Sequence, residues 1–108
     1  MIKQITAQEL MTKLSLNEVY LIDVRDIQEY ENESIPKSHL IPLNILCLDL
    51  LPYPPRPIVC HCKSGNRSSK ACEKLLSQDP SLEIYNLQGG ITAWKEAGLP
   101  ILTTKASG

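Results

Sequence analysis

The sequence has no surplus of charge. Eleven basic residues face twelve acidic ones, a formal net charge of −1 at pH 7. That gives no electrostatic case for nucleic acid or for an anionic membrane surface as a partner. Long hydrophobic runs are also missing, since no apolar stretch approaches the ~18–20 residues that span a bilayer. Met1-Ile2-Lys3-Gln4-Ile5 lacks the apolar centre of a secretory leader. A soluble, unexported, cytoplasmic protein is expected, monomeric or weakly dimeric. There are no internal repeats and no low-complexity tracts. Cys47, Cys60, Cys62 and Cys72 are not spread as a disulfide framework, and the apolar content supports an ordinary core. Metal ligands are scarce too. Cys60-His61-Cys62 with His39 could suggest a metal site, but a C-x-C pair needs two further ligands. Adjacent strand residues also point to opposite faces, so His61 and Cys62 should diverge. No metal and no organic cofactor is expected, and His61 reads as a hydrogen-bonded strand-end residue.

With 108 residues the chain fits one domain that can bury a core without staples. Residues 1–102 are expected to form it, with 103–108 as a flexible tail. Ile2 to Ile5 reads as a short strand. Thr6 and Glu9 have capping-box spacing, and Leu10, Met11 and Leu14 follow at helical spacing, which predicts a helix from Ala7 to Leu14. Val19-Tyr20-Leu21-Ile22 fits a strand buried on both faces. Asp26 and Glu29 signal a second, short helix carrying Ile27 and Tyr30 inward. His39 to Pro42 could form a short strand. Leu43, Leu46, Cys47 and Leu50 fit one face of a helix over 43–51. The four prolines of 52–57 make a loop.

Ile58 to His61 is another strand, Ser68 to Ser77 a helix with Ala71, Cys72, Leu75 and Leu76 inward, and Ile84 to Leu87 a strand. Gln88-Gly89-Gly90 is a tight turn into a helix with Ile91 and Trp94 on one face, Trp94 as core, and Gly98 as its stop. The alternation predicts an α/β fold. Its sheet would be mostly parallel and roughly five-stranded, with helices on both faces.

The chain is organised around Pro57 to Ser69. An apolar strand runs into a loop, Cys62-Lys63-Ser64-Gly65-Asn66-Arg67, and then into a helix. In such sheets ligands sit beyond the carboxyl ends of the strands. Backbone N–H groups and the positive helix end would face the loop centre, and Ser68 could cap the helix. A cysteine there is pushed toward thiolate, and Lys63 and Arg67 add cations. The loop therefore suits an anion and holds a nucleophile. Gly65 provides positive φ or close approach. Arg67 either draws an anionic donor or braces the loop through a carbonyl or carboxylate. Asp23 and Arg25, just past a strand end, are candidates for catalysis or, more simply, a charge pair or loop brace supporting the site. Cys47, Cys60 and Cys72 read as structural.

Three motifs carry a resemblance to the rhodanese-homology family, over nearly the whole chain. Leu21-Ile22-Asp23-Val24-Arg25 with Glu29-Tyr30 is similar to its strand and "DVR…EY" signature. Cys62 to Ser68 matches its C-x-x-G-x-R-S loop. Leu87-Gln88-Gly89-Gly90 to Trp94, with Ala97-Gly98-Leu99-Pro100, matches its C-terminal ending. Where the family usually has Gly-His-Ile-Pro-Gly-Ala, this chain has Glu33-Ser34-Ile35-Pro36-Lys37-Ser38, a departure that bears on local loop geometry.

The resemblance implies a sulfurtransferase of rhodanese-like fold. Cys62 would be the nucleophile that takes a sulfane sulfur from thiosulfate or a persulfide. It would pass that sulfur to cyanide, a thiol or a partner protein. Lys63, Ser64, Gly65, Asn66, Arg67 and Ser68 would bind the small anionic donor, supported by Asp23 and Arg25. One alternative is a non-catalytic binding module. A cysteine phosphatase or arsenate reductase fits less well. Phosphatase loops are C-x5-R, whereas Cys62 to Arg67 is C-x4-R, a smaller pocket suited to sulfur.

Overall fold

Thr6 opens the first helix through side-chain hydrogen bonds. Its hydroxyl accepts the Glu9 N–H at 3.2 Å, and Glu9 Oε1 accepts the Thr6 N–H at 2.9 Å. Two orphan donors are satisfied reciprocally. Around this start, a computed structural model describes residues 2–103. Strand β1 (Lys3–Ile5) leads into α1 (Ala7–Ser15), then β2 (Tyr20–Asp23), α2 (Ile27–Asn32) and β3 (Ser38–Leu40). After a 3₁₀ turn at Leu48–Leu50 come β4 (Ile58–His61), α3 (Asn66–Gln78), β5 (Ile84–Leu87) and α4 (Gly90–Glu96). The expected tail lies outside the described residues from position 104 onward.

The five strands pair in the order β1-β5-β4-β2-β3, every pairing parallel. Alternate side chains of β2 and β4 feed two cores. Tyr20, Ile22, Ile58 and Cys60 face α3, where Ala71, Cys72 and Leu75 cover them. Leu21 and Val59 face α1 and α4, where Leu10, Leu14, Ile91 and Trp94 cover them. Burial on both faces is what lets these strands be apolar at every position. Each fully buried Leu or Ile contributes about 1.5–3 kcal/mol over exposure. Trp94 is core, with its indole N–H donating to the Pro100 carbonyl at 2.7 Å.

Two expectations fail. Residues 43–51 do not form a helix: Cys47 is extended and only Leu48–Leu50 turn. The backbone closes tight turns instead, the Ile45 N–H donating to the Pro42 carbonyl at 3.0 Å and the Leu46 N–H to the Leu43 carbonyl at 3.3 Å. The Gln78 side chain instead takes the Leu48 N–H at 3.1 Å. Leu46 still reaches the core, but Leu50 does not. Ile27 points outward at 57 % exposure, and Tyr30 is half-buried. The short α2 is set by its caps and by Glu29, as described below, rather than by an apolar face. Leu76, half-buried, packs against the same core as Ala71, Cys72 and Leu75, as expected.

The 33–38 departure has a backbone consequence. Lys37, where the family usually has glycine, sits at φ +70°. A left-handed backbone costs a side-chain-bearing residue about 1–2 kcal/mol. The Lys37 ammonium, donating to the Leu14 carbonyl at 3.0 Å, offsets part of this.

Candidate active site

β4 delivers Cys62 to the carboxyl end of the sheet, where strand residues leave the ladder and their side chains become free for chemistry. The following residues, 62–65, do not continue straight because Gly65 turns the chain at φ +117°. Only glycine enters that region cheaply. Gly65, not Ser68, is the N-cap of α3, and the helix starts two residues earlier than its apolar pattern indicated. Ser68 lies one turn inside it, fully buried.

This turn wraps the backbone around one sulfur atom. The Gly65 N–H donates to Cys62 Sγ at 3.1 Å and the Ser68 N–H at 3.4 Å. The Ser68 hydroxyl stands 3.4 Å from the same sulfur. Cys62 is 1 % exposed. Burial alone would push its thiol pKa up. The Ser68 hydroxyl and the N–H groups of Ser68, Gly65 and Ser64 outweigh it and pull the pKa below the ordinary thiol value. Each of those donors favours the thiolate.

The other cysteines differ. Hydrogen bonding to Cys72, together with burial, pushes the Cys60 thiol up. Cys60 and Cys72 are fully buried free thiols, and Cys47 is half-buried. Among the described residues no His, Cys, Asp and Glu cluster could hold a metal, and His39 is exposed.

Two supports hold the loop. One is the start of α4. The Ile91 and Thr92 N–H groups donate to the carbonyls of Cys62 and Lys63 at 2.9 and 3.2 Å. The second is Asn86 on β5. Its Oδ1 accepts from the Ser68 hydroxyl at 2.5 Å, and its amide donates to Ser69 Oγ at 3.1 Å and the Gly65 carbonyl at 3.4 Å. Asn86 is absent from the sequence-based site. Its signal was a polar residue inside an apolar strand, which stays buried only when hydrogen-bonded.

The loop cations part company. Arg67 binds Glu29 as a fork, Nη1 to Oε1 at 2.6 Å and Nη2 to Oε2 at 3.0 Å. Of the roles open to Arg67, bonding to a carboxylate is the one its geometry displays. Arg67 holds the Glu29 carboxyl down to about 2. Lys63 is exposed, as are Ser64 and Asn66.

Asp23 and Arg25 form the expected pair, both buried. Arg25 Nη2 donates to Asp23 Oδ2 at 2.7 Å and to the Glu33 carbonyl at 2.7 Å. They lie beside His61, whose Nε2 is 3.5 Å from Asp23 Oδ2 without a hydrogen-bond partner. His61 Nδ1 is 3.3 Å from the Cys62 carbonyl, so the expected hydrogen bonding holds at one nitrogen only. Burial pushes the His61 pKa down, and the Arg25 charge adds to this against the pull of Asp23.

Known proteins are similar to this chain in sequence and in fold. The rhodanese-like domain family matches residues 6–97. The chain is 35% identical over 104 residues to a sulfurtransferase of Allochromatium vinosum, covering 94% of this chain and 96% of that protein. It is 40% identical over 88 residues to an uncharacterized protein of Synechocystis, covering 81% of this chain but only 49% of that one. A thiosulfate sulfurtransferase structure from Pseudomonas aeruginosa superposes with a TM-score of 0.86 at 25% identity. That match covers 96% of this chain and 21% of the Pseudomonas chain. By fold and by the length of the match, the chain belongs to the rhodanese-like domain family.

Proposed function

We propose that this protein is a sulfurtransferase that carries sulfane sulfur on Cys62. The observation that carries the reading is the set of donors around Cys62 Sγ, the Gly65 N–H at 3.1 Å, the Ser68 N–H at 3.4 Å and the Ser68 hydroxyl at 3.4 Å. A thiolate is the nucleophile the reaction needs, and these donors favour it. With thiosulfate, the Cys62 thiolate attacks the outer sulfur. A new S–S bond forms on Cys62, the donor S–S bond breaks, and sulfite leaves with the bonding pair. With a persulfide anion R–S–S⁻, the product is Cys62–S–S⁻ and R–S⁻ leaves. Cyanide, a thiol or a protein cysteine then takes the outer sulfur and returns the Cys62 thiolate.

In this reading the 63–68 segment binds the donor. The N–H groups around Gly65 and Ser68 spread the charge of the persulfide, as an oxyanion hole does for oxygen. Lys63 draws anions toward the mouth, and Asp23 with Arg25 stiffens the floor. Sulfur chemistry of this kind requires thiols kept reduced, as in the cytoplasm. A sulfurtransferase-named relative at 35% identity adds support.

The test is intact mass after incubation with thiosulfate or a persulfide. Wild type should gain about 32 Da, one sulfur, removable by cyanide or dithiothreitol. Cys62→Ala should gain nothing. A wild-type protein unchanged by both donors sinks the reading.

A further inference from the structure

The loop has two cations, but only one of them is free to meet a donor. Arg67 spends both terminal nitrogens on Glu29, in a fork with one N–O pair at 2.6 Å and the other at 3.0 Å. A second acidic residue, Asp26, also lies within electrostatic reach of Arg67. Farther round the mouth, Arg25 is tied to Asp23 and Lys95 to Glu33, at 2.7 and 2.8 Å. Lys63 is the loop cation with no carboxylate partner among the described residues. Around the mouth the cations Arg25, Lys63, Arg67 and Lys95 thus face the carboxylates Asp26, Glu29 and Glu33, with Asp23 buried beneath them against Arg25. Their charges cancel, and His61 is held neutral by burial. Once Cys62 is a thiolate, the site carries a net negative charge.

This balance bears on which donor enters. Thiosulfate brings two negative charges to a thiolate, and its repulsion must be met by the loop N–H groups and Lys63 alone. A persulfide whose organic part balances its sulfur charge brings none. The fork leaves Arg67 with no net charge to set against the donor. We propose, resting on the sulfurtransferase reading, that Glu29 is a specificity-determining residue. By neutralising Arg67 it makes the site prefer a persulfide of low net charge over the thiosulfate dianion.

Glu29→Gln isolates this effect. Glutamine still serves the third position of the α2 capping box, where Glu29 now receives the Asp26 N–H, but it frees the charge of Arg67. The probes are thiosulfate and 2-aminoethyl persulfide, whose ammonium balances its sulfur. The readout is the second-order rate of sulfur loading on Cys62, followed by intact mass. Glu29→Gln should speed loading from thiosulfate about tenfold, the effect of removing one nearby charge. Loading from 2-aminoethyl persulfide should change less than about twofold on the same argument. The ratio is decisive because a freed Arg67 that merely activates Cys62 would speed both donors equally.

A double variant, Glu29→Gln with Arg67→Gln, removes the pair without changing net charge. It should keep the wild-type donor ratio and also answers the case in which the single variant folds poorly. An unchanged ratio in the single variant, or selective loss of thiosulfate loading in the double one, overturns the proposal. Failure of both donors to load wild-type Cys62 overturns instead the sulfurtransferase reading beneath it.

Discussion

Gly90 touches the backbone of Cys62. A Cβ built on Gly90 would stand 2.5 Å from the Cys62 carbonyl oxygen and equally close to that of Lys63. No side chain stands in that space to give way, only the peptide of the loop itself. Gly90 is also at φ +60°. Gly90→Ala should therefore push α4 off the loop and loosen the Ile91 and Thr92 hydrogen bonds. The expected cost is about 2–4 kcal/mol, from strain and displaced backbone together, with sulfur loading reduced at least about tenfold as the cradle opens. Gly98 supplies the control. It too has a left-handed φ, +73°, but nothing lies within 4 Å of its missing Cβ. Gly98→Ala should cost only about 1–2 kcal/mol and leave loading unchanged. Thermal unfolding and loading rates on both variants decide the matter.

The Ser68 hydroxyl has one proton and three acceptors in reach: Cys62 Sγ, the Gly65 carbonyl and Asn86 Oδ1. A thiolate is the strongest of these acceptors, so ionising Cys62 should draw the proton to sulfur. Ser68→Ala removes that donor and should raise the Cys62 pKa by about one unit, since one unit corresponds to ~1.4 kcal/mol. Alkylation by iodoacetamide across pH reads this out. In wild type the rate should rise and level off below pH 9.0, the ordinary thiol value, and in Ser68→Ala the whole curve should move to higher pH. A wild-type midpoint at or above the ordinary value would remove the basis for a nucleophilic Cys62.

The sheet was legible because β2 and β4 are buried on both faces, so their apolar runs had no competing explanation. The cysteine loop was legible because a thiol, a glycine and two cations in six residues suit one kind of chemistry. Leu43 to Leu51 misled for a physical reason. Its period of 3.6 is genuine, but its backbone donors go elsewhere, the Leu46 N–H to the Leu43 carbonyl three residues back and the Leu48 N–H to the Gln78 side chain. Glu29 was visible only as a cap. Its bond to Arg67 spans 38 positions, and local spacing says nothing about partners that distant. Asn86 was hidden likewise, because its contacts with Ser68 and Ser69 exist only once β5 lies beside β4.

The Glu29–Arg67 fork should make stability fall in acid. Arg67 lowers the Glu29 carboxyl from 4.5 to about 2, so the folded state binds that proton less readily than the unfolded chain. Its stabilisation is complete above the unfolded value and disappears as pH falls from 4.5 toward 2. Urea midpoints at pH 6 and pH 3 should differ more in wild type than in Glu29→Gln, which has nothing to protonate at this position. Equal acid sensitivity would mean that the fork does not persist in solution.

Asp23 is the residue whose loss should be most costly outside the cysteine loop. It is fully buried and carries three of the hydrogen bonds made by the Arg25 guanidinium, at 2.7 to 3.1 Å. A fourth, from Arg25 Nη2 to the Glu33 carbonyl, ties the end of β2 to the end of α2. Removing one partner of a buried pair leaves the other charge without compensation, and Asp23→Ala should cost about 3–5 kcal/mol. Replacing both, as Asp23→Leu with Arg25→Met, should cost less than Asp23→Ala alone, because no unpaired charge remains. If the double variant is as unstable as the single one, packing at the end of β2, rather than charge compensation, governs this corner of the site.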